Sequence, residues 1–167
     1  MFMNASNAAS NPRVKIKGVK FVKSFAGIDE YQLDNGLKIL LKPKQDLPAL
    51  SWQVWYKVGS RNEQLNRTGI AHYLEHIMFK GTETFAKGEI AQAIQLRGGV
   101  FNAFTSDDYT AYFENFAPEN LELAIKIESD RMQNARIDHE DVELERSVIV
   151  SELEGNKNDP RRSLYET

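Results

Sequence analysis

Residues 69–81 read GIAHYLEHIMFKG, and His72, Glu75 and His76 stand within five positions of this otherwise apolar run. Read as a helix, the segment places His72 and His76 one turn apart on one face, because positions four apart lie above one another. Each ring can then aim one nitrogen at a common point, as a helical two-histidine zinc site requires. Glu75, three positions after His72, lies on nearly the same side but displaced. From there a carboxylate can reach a metal-activated water as a base without being a ligand. The competing reading is a structural helix whose polar groups merely satisfy one another. Against it, the only other histidine in the chain is His139. The neighbours Ile70, Leu74, Ile77 and Phe79 also predict a buried helix, in which ionisable groups need partners.

Working outward, Thr68 is the expected N-cap of this helix, which runs to about Phe79 and ends at Gly81. Upstream, VKIKGVKFVKS (residues 14–24) alternates apolar and basic residues and predicts a weak strand. Tyr31–Leu33 and Leu37–Leu40 flank Asp34-Asn35-Gly36, a hairpin signal because the central turn residues need positive φ. Residues 49–58, rich in aromatic and branched side chains, predict a long strand. Downstream, residues 87–96 predict a second helix closed by Gly98-Gly99. Residues 100–105 and 109–116 predict a hairpin about Ser106-Asp107-Asp108. Pro118 opens a helix to about Ala135, and Asp138 caps another to about Asn156, stopped by Asp159-Pro160. This order predicts an α+β fold, a mainly antiparallel sheet with helices packed on it.

The 167 residues suit one domain, with a disordered lead-in over residues 1–13 and a folded part over residues 14–167. A formal charge of −3 and the lack of a basic face argue against a nucleic-acid partner. No apolar run reaches the length of a membrane span. The start, MFMNASNAASNP, lacks the basic region and long apolar core of a signal peptide, and no compartment is singled out. The chain has no cysteine, so any metal must be held by nitrogen and oxygen. His139 beside Asp138 at a helix start is a poor third ligand. The acids of the last helix are better placed. Glu145 and Glu152, seven apart with Val148 and Ile149 between them, share one face. Either can supply the ligand, and the spacing chooses neither.

Three separated stretches together resemble the pitrilysin/insulysin/mitochondrial-processing-peptidase family of zinc metallopeptidases, the inverzincins with the H-x-x-E-H signature. GIAHYLEHIMFKGT (69–82) resembles the family's zinc helix. GGVFNAFT (98–105), followed by DYTAY (108–112), resembles its substrate-binding edge strand and partner strand. ERSVIVSE (145–152) resembles the helix with its third ligand. The resemblance covers roughly residues 28–167. It implies His72, His76 and Glu152 as zinc ligands and Glu75 as general base. Glu145 matches an acid that supports the site by orienting a ligating histidine. Asn102 and Ala103, with Phe104 beside them, match the edge-strand segment that pairs with an extended peptide substrate.

The family's proteases are assembled from similar αβ units, usually four, that enclose a chamber. An arginine–tyrosine pair in the second half helps to bind substrate. The chain, which stops at RRSLYET, is therefore expected to be an N-terminal part of such a peptidase, with an incomplete first αβ unit. Its expected partners are a peptide substrate and the remaining C-terminal domains or a homologous subunit. Alone, it is expected to bind zinc weakly and to show little proteolysis. The alternative is a non-catalytic substrate-binding or scaffold subunit of the same fold. Those tend to have lost motif residues, whereas His72, Glu75, His76 and Glu152 are all present.

Overall fold

The computed structural model describes residues 16–44 and 46–157. The expected lead-in over residues 1–13 and the stop at Asp159-Pro160 lie outside them. The chain divides into two units, one before Pro48 and one from Pro48 onward.

The first unit is an antiparallel meander of β1 (Val19–Phe25), β2 (Ile28–Leu33) and β3 (Lys38–Leu41). The hairpin at Asn35-Gly36 forms, but only Gly36 takes positive φ, at 89°, and not Asn35 as well; the Gly36 N–H donates to the Leu33 carbonyl at 2.9 Å. The β1–β2 turn is an addition. Ala26 and Gly27 both adopt positive φ, 50° and 75°. Positive φ at both central residues is what a type I′ hairpin needs, but Ala-Gly announces it far less strongly than Asn-Gly. On β2, Glu30 lies between Lys23 of β1 and Lys38 of β3, at 3.5 and 3.4 Å.

In the second unit β4 (Leu50–Tyr56), β5 (Val100–Thr105) and β6 (Thr110–Phe116) form an antiparallel sheet in the order β4-β6-β5. The expected hairpin is therefore β5–β6, with Asn102 opposite Phe113 and Thr105 opposite Thr110. β6 is central, and among the described residues β5 pairs with it alone, so β5 is an edge. Alternation along the strands turns Trp52, Phe101 and Phe116 toward the helices α2 (Glu89–Gln95) and α3 (Leu121–Asn134). There they pack with Phe85, Ile90, Ile94, Ala124 and Ile127. Gly99 permits this closure, since a Cβ there would stand 2.6 Å from the Phe116 ring. Pro118–Asn120 forms a 3-10 turn before α3 rather than its first α-helical turn. α4 spans His139–Lys157, with the Asp138 carbonyl accepting the Val142 N–H at 3.0 Å. The architecture is the expected α+β arrangement of antiparallel sheet and helices.

α1 (Ile70–Ile77) departs from one expectation. Ile77 is buried, but Ile70 and Leu74 are 53% and 43% exposed. The side that faces the sheet carries Ala71 and Glu75 instead. The apolar run is thus only partly core, and the buried titratable group is the glutamate.

Beneath the turn after α1 lies a charged cluster. Arg131 of α3 and the acids Glu114 of β6 and Glu128 of α3 are each 1% exposed. Arg131 Nη1 lies 2.7 Å from Glu128 Oε1, and Nη2 lies 3.8 Å from Glu114 Oε1. The guanidinium also stands 5.1 and 4.9 Å from the ring centres of Phe79 and Tyr112. One cation serves two acids. Burial, then the hydrogen bond and charge of Glu128, push the Glu114 carboxyl up to about 9 against the pull of Arg131. A folded-state value raised above the unfolded one means that the folded chain holds the extra proton. That contribution is full below the ordinary carboxylate range and is lost as pH rises toward about 9. Urea unfolding across pH 5–9 should show stability falling with a slope of up to about 1.4 kcal/mol per pH unit from this group. Glu114→Gln, which keeps a donor toward Glu128, should flatten that slope; an unchanged slope in the variant would remove Glu114 as its source.

Candidate metal centre

The helix that presents the histidines starts differently from the sequence-based expectation. Its N-cap is Gly69, at φ 91°, and no side-chain cap comes from that residue. Thr68 stands outside. The Glu63 carboxylate takes its place, accepting the Gly69 N–H at 2.6 Å and the Ala71 N–H at 2.7 Å. An anion there also meets the positive end of the helix dipole. At the other end, Phe79 N–H bonds to the His76 carbonyl at 3.2 Å and Lys80 N–H to the Ile77 carbonyl at 2.9 Å. These tighter turns end the α-helix at Ile77, short of Phe79.

α4 runs alongside α1. The Tyr73 hydroxyl donates to the Val142 carbonyl, and two acids of α4 meet the histidines. His72 Nε2 and His76 Nε2 are 3.2 Å apart. Glu152 Oε2 lies 3.7 Å from the first and 3.5 Å from the second. All three donor atoms fall within 4.8 Å of one another. Tetrahedral bonds of about 2.0–2.2 Å to zinc would separate such atoms by roughly 3.3–3.5 Å. Two imidazoles and one carboxylate at this spacing fit zinc without rearrangement. Glu152 is half exposed, leaving the site open on one side.

Glu145 contacts the same histidine from behind. His76 Nδ1 and Glu145 Oε2 are 3.0 Å apart, and Lys80 Nζ pairs with Glu145 Oε1. Burial raises the Glu145 carboxyl, but the hydrogen bonds and charges of Lys80 and His76 outweigh it and hold the group below its ordinary value. An ionised carboxylate can only accept, so the hydrogen sits on His76 Nδ1. In the neutral ring Nε2 then carries the lone pair, facing His72 and Glu152.

Glu75 is not part of the trio. It points to the sheet, where the Thr105 hydroxyl donates to its Oε2 at 2.5 Å. Thr105 Oγ1 is in turn 3.2 Å from Thr110 Oγ1, and the Thr110 hydroxyl reaches the Val58 carbonyl at 3.0 Å. Thr105, Thr110 and Lys80 belong to the site by contact, although none was singled out from sequence. Strand alternation does place Thr105 on the same face as Phe101 and Ala103, but not opposite a particular glutamate.

The expected substrate-binding segment lies on β5. Ala103 is on the face shared with Thr105, and Asn102 and Phe104 are on the other. Phe104 packs there with Trp55, Tyr109 and Phe113 at ring separations of 5.7, 6.0 and 6.4 Å. Asn102 Oδ1 accepts the N–H of Ala103 at 2.9 Å, on the free edge of the strand.

A two-histidine helix braced by an acidic helix over an antiparallel sheet edge is the architecture of a zinc metallopeptidase unit. The chain belongs to the insulinase family, peptidase family M16, whose family model matches residues 38–167. It is 38% identical over 148 residues to an uncharacterized zinc protease of Mycobacterium leprae, covering 89% of this chain and 33% of that protein. An uncharacterized zinc protease of Streptomyces coelicolor is 33% identical over 158 residues, covering 93% and 34%. Among solved structures, a protease from Helicobacter pylori superposes with a TM-score of 0.79 at 34% identity, covering 83% of this chain and 34% of that one. Pitrilysin superposes with a TM-score of 0.69 at 28% identity, covering 80% and 14%. The chain thus spans about a third of the length of the curated relatives it matches.

The capping geometry predicts that Glu63→Ala destabilises the protein by about 1 kcal/mol in urea unfolding, as loss of a helix cap does. Thr68→Ala should change stability by less than about 0.5 kcal/mol. The reverse ranking would restore Thr68 as the cap.

Proposed function

We propose that this chain carries the zinc site and general base of a metalloendopeptidase that cuts peptides or unfolded segments. The observation that carries the reading is the convergence of His72 Nε2, His76 Nε2 and Glu152 Oε2 at zinc-ligand spacing. When bound there, zinc supplies Lewis acidity toward a peptide carbonyl and a water molecule. The protein's own groups do the rest. His72, His76 and Glu152 hold the ion, and Glu145 fixes the tautomer of His76. Glu75, oriented by Thr105, takes the water proton and returns it to the leaving amine. The β5 edge receives the substrate as an added antiparallel strand through Asn102, Ala103 and Phe104. Because Thr105 ends the same strand, substrate backbone and base are held by one element. Residues 14–167 act in this reading as the N-terminal zinc-binding domain of a longer peptidase or of a subunit pair.

Calorimetric titration with zinc tests the ligands. His76→Ala should weaken binding beyond the roughly 10–100-fold that loss of a supporting contact costs; equal binding by wild type and variant would sink the metal assignment. Glu75→Gln tests the base. It should bind zinc like the wild type, yet in the whole peptidase lower turnover by about 10²–10⁴-fold. Retained turnover would leave Glu75 a structural residue.

A further inference from the structure

Lys80 is the only lysine or arginine in ion-pair contact with Glu75, Glu145 or Glu152 among the described residues. It lies four positions after His76, just beyond the helix, where the tightened last turn fixes its backbone through the bond to Ile77. Its side chain is only 21% exposed, unusual for a lysine, and that of Glu145 is 10% exposed. The two oxygens of Glu145 are divided between two donors from the same end of α1, Oε2 to His76 Nδ1 and Oε1 to Lys80 Nζ. A carboxylate held at one oxygen alone can rotate away from the ring; one held at both cannot do so without losing an ion pair in a sheltered position.

Resting on the zinc reading above, we propose that Lys80 is a positioning residue of the metal centre, clamping Glu145 so that His76 presents its Nε2 lone pair. Charge supports the same role. Three carboxylates crowd the site, and a divalent cation with the Lys80 ammonium balances their three negative charges. Lys80 thereby acts through Glu145 and His76, without touching the metal. No local signal marks it, because Lys80 follows the motif in sequence and meets Glu145 only through the packing of α4 on α1.

The test compares wild type, Lys80→Met and Lys80→Arg. Zinc affinity is measured by chelator competition, the His76 tautomer by ¹⁵N NMR of the zinc-free protein, and stability by urea unfolding. Lys80→Met keeps the aliphatic stem and should weaken zinc binding about 10–100-fold. It should also let hydrogen populate His76 Nε2 as well as Nδ1. Lys80→Arg should recover most of both. Failure of the wild type to bind zinc would overturn the zinc reading itself. Wild-type binding matched by Lys80→Met would overturn only the role of Lys80. Weaker binding with an unchanged tautomer and a general loss of stability would make Lys80 merely structural, and so would also overturn the proposal.

Discussion

The hydrogen bond between His76 Nδ1 and Glu145 Oε2 joins residues 69 positions apart and sets the position of α4 against α1. Once it forms, the seven-residue spacing from Glu145 brings Glu152 two turns along the same helix, to the far side of the same ring. One imidazole is thereby held at both nitrogens, by Glu145 on one and toward Glu152 on the other. Apolar burial on this face of α4 comes from Ile149, 6% exposed, while Ile70, Leu74 and Val148 are substantially exposed. Polar contacts add to it, including the one from Tyr73 to Val142.

The sheet governs the other half of the site. β5 is held by β6 on one side only, yet its last residue, Thr105, fixes the carboxylate of Glu75. Beneath the turn that follows α1, Arg131 lies against the rings of both Phe79 and Tyr112 and beside the two buried acids. The turn that ends the histidine helix thus rests on side chains of β6 and α3. Thr82 reinforces it, bonding to Asp130 through its side chain and bridging to Ala135 through its backbone.

Much of this was legible in the sequence wherever a local rule was sufficient. Helical period placed His72 and His76 together, Asn-Gly placed the β2–β3 turn, and Ser106-Asp107-Asp108 between two strand-like runs placed the β5–β6 hairpin. The choice between Glu145 and Glu152 could not be made from spacing because both residues reach His76, through different nitrogens. What escaped notice depends on contacts between distant elements. Glu63 caps α1 from six positions upstream of Gly69, displacing the obvious candidate Thr68. Lys80 and Thr105 acquire partners only when α4 and β5 close on α1. Ile70 and Leu74 looked like core because apolar character does not say which flank of a helix a neighbour will cover.

The bond from Asn102 Oδ1 to the neighbouring N–H gives the β5 edge a tenant of its own. A strand from another molecule that approaches there must first evict this side chain, so it begins one hydrogen bond in deficit. A glancing encounter gains nothing against that deficit, whereas a segment extended across several residues recovers it at the next positions.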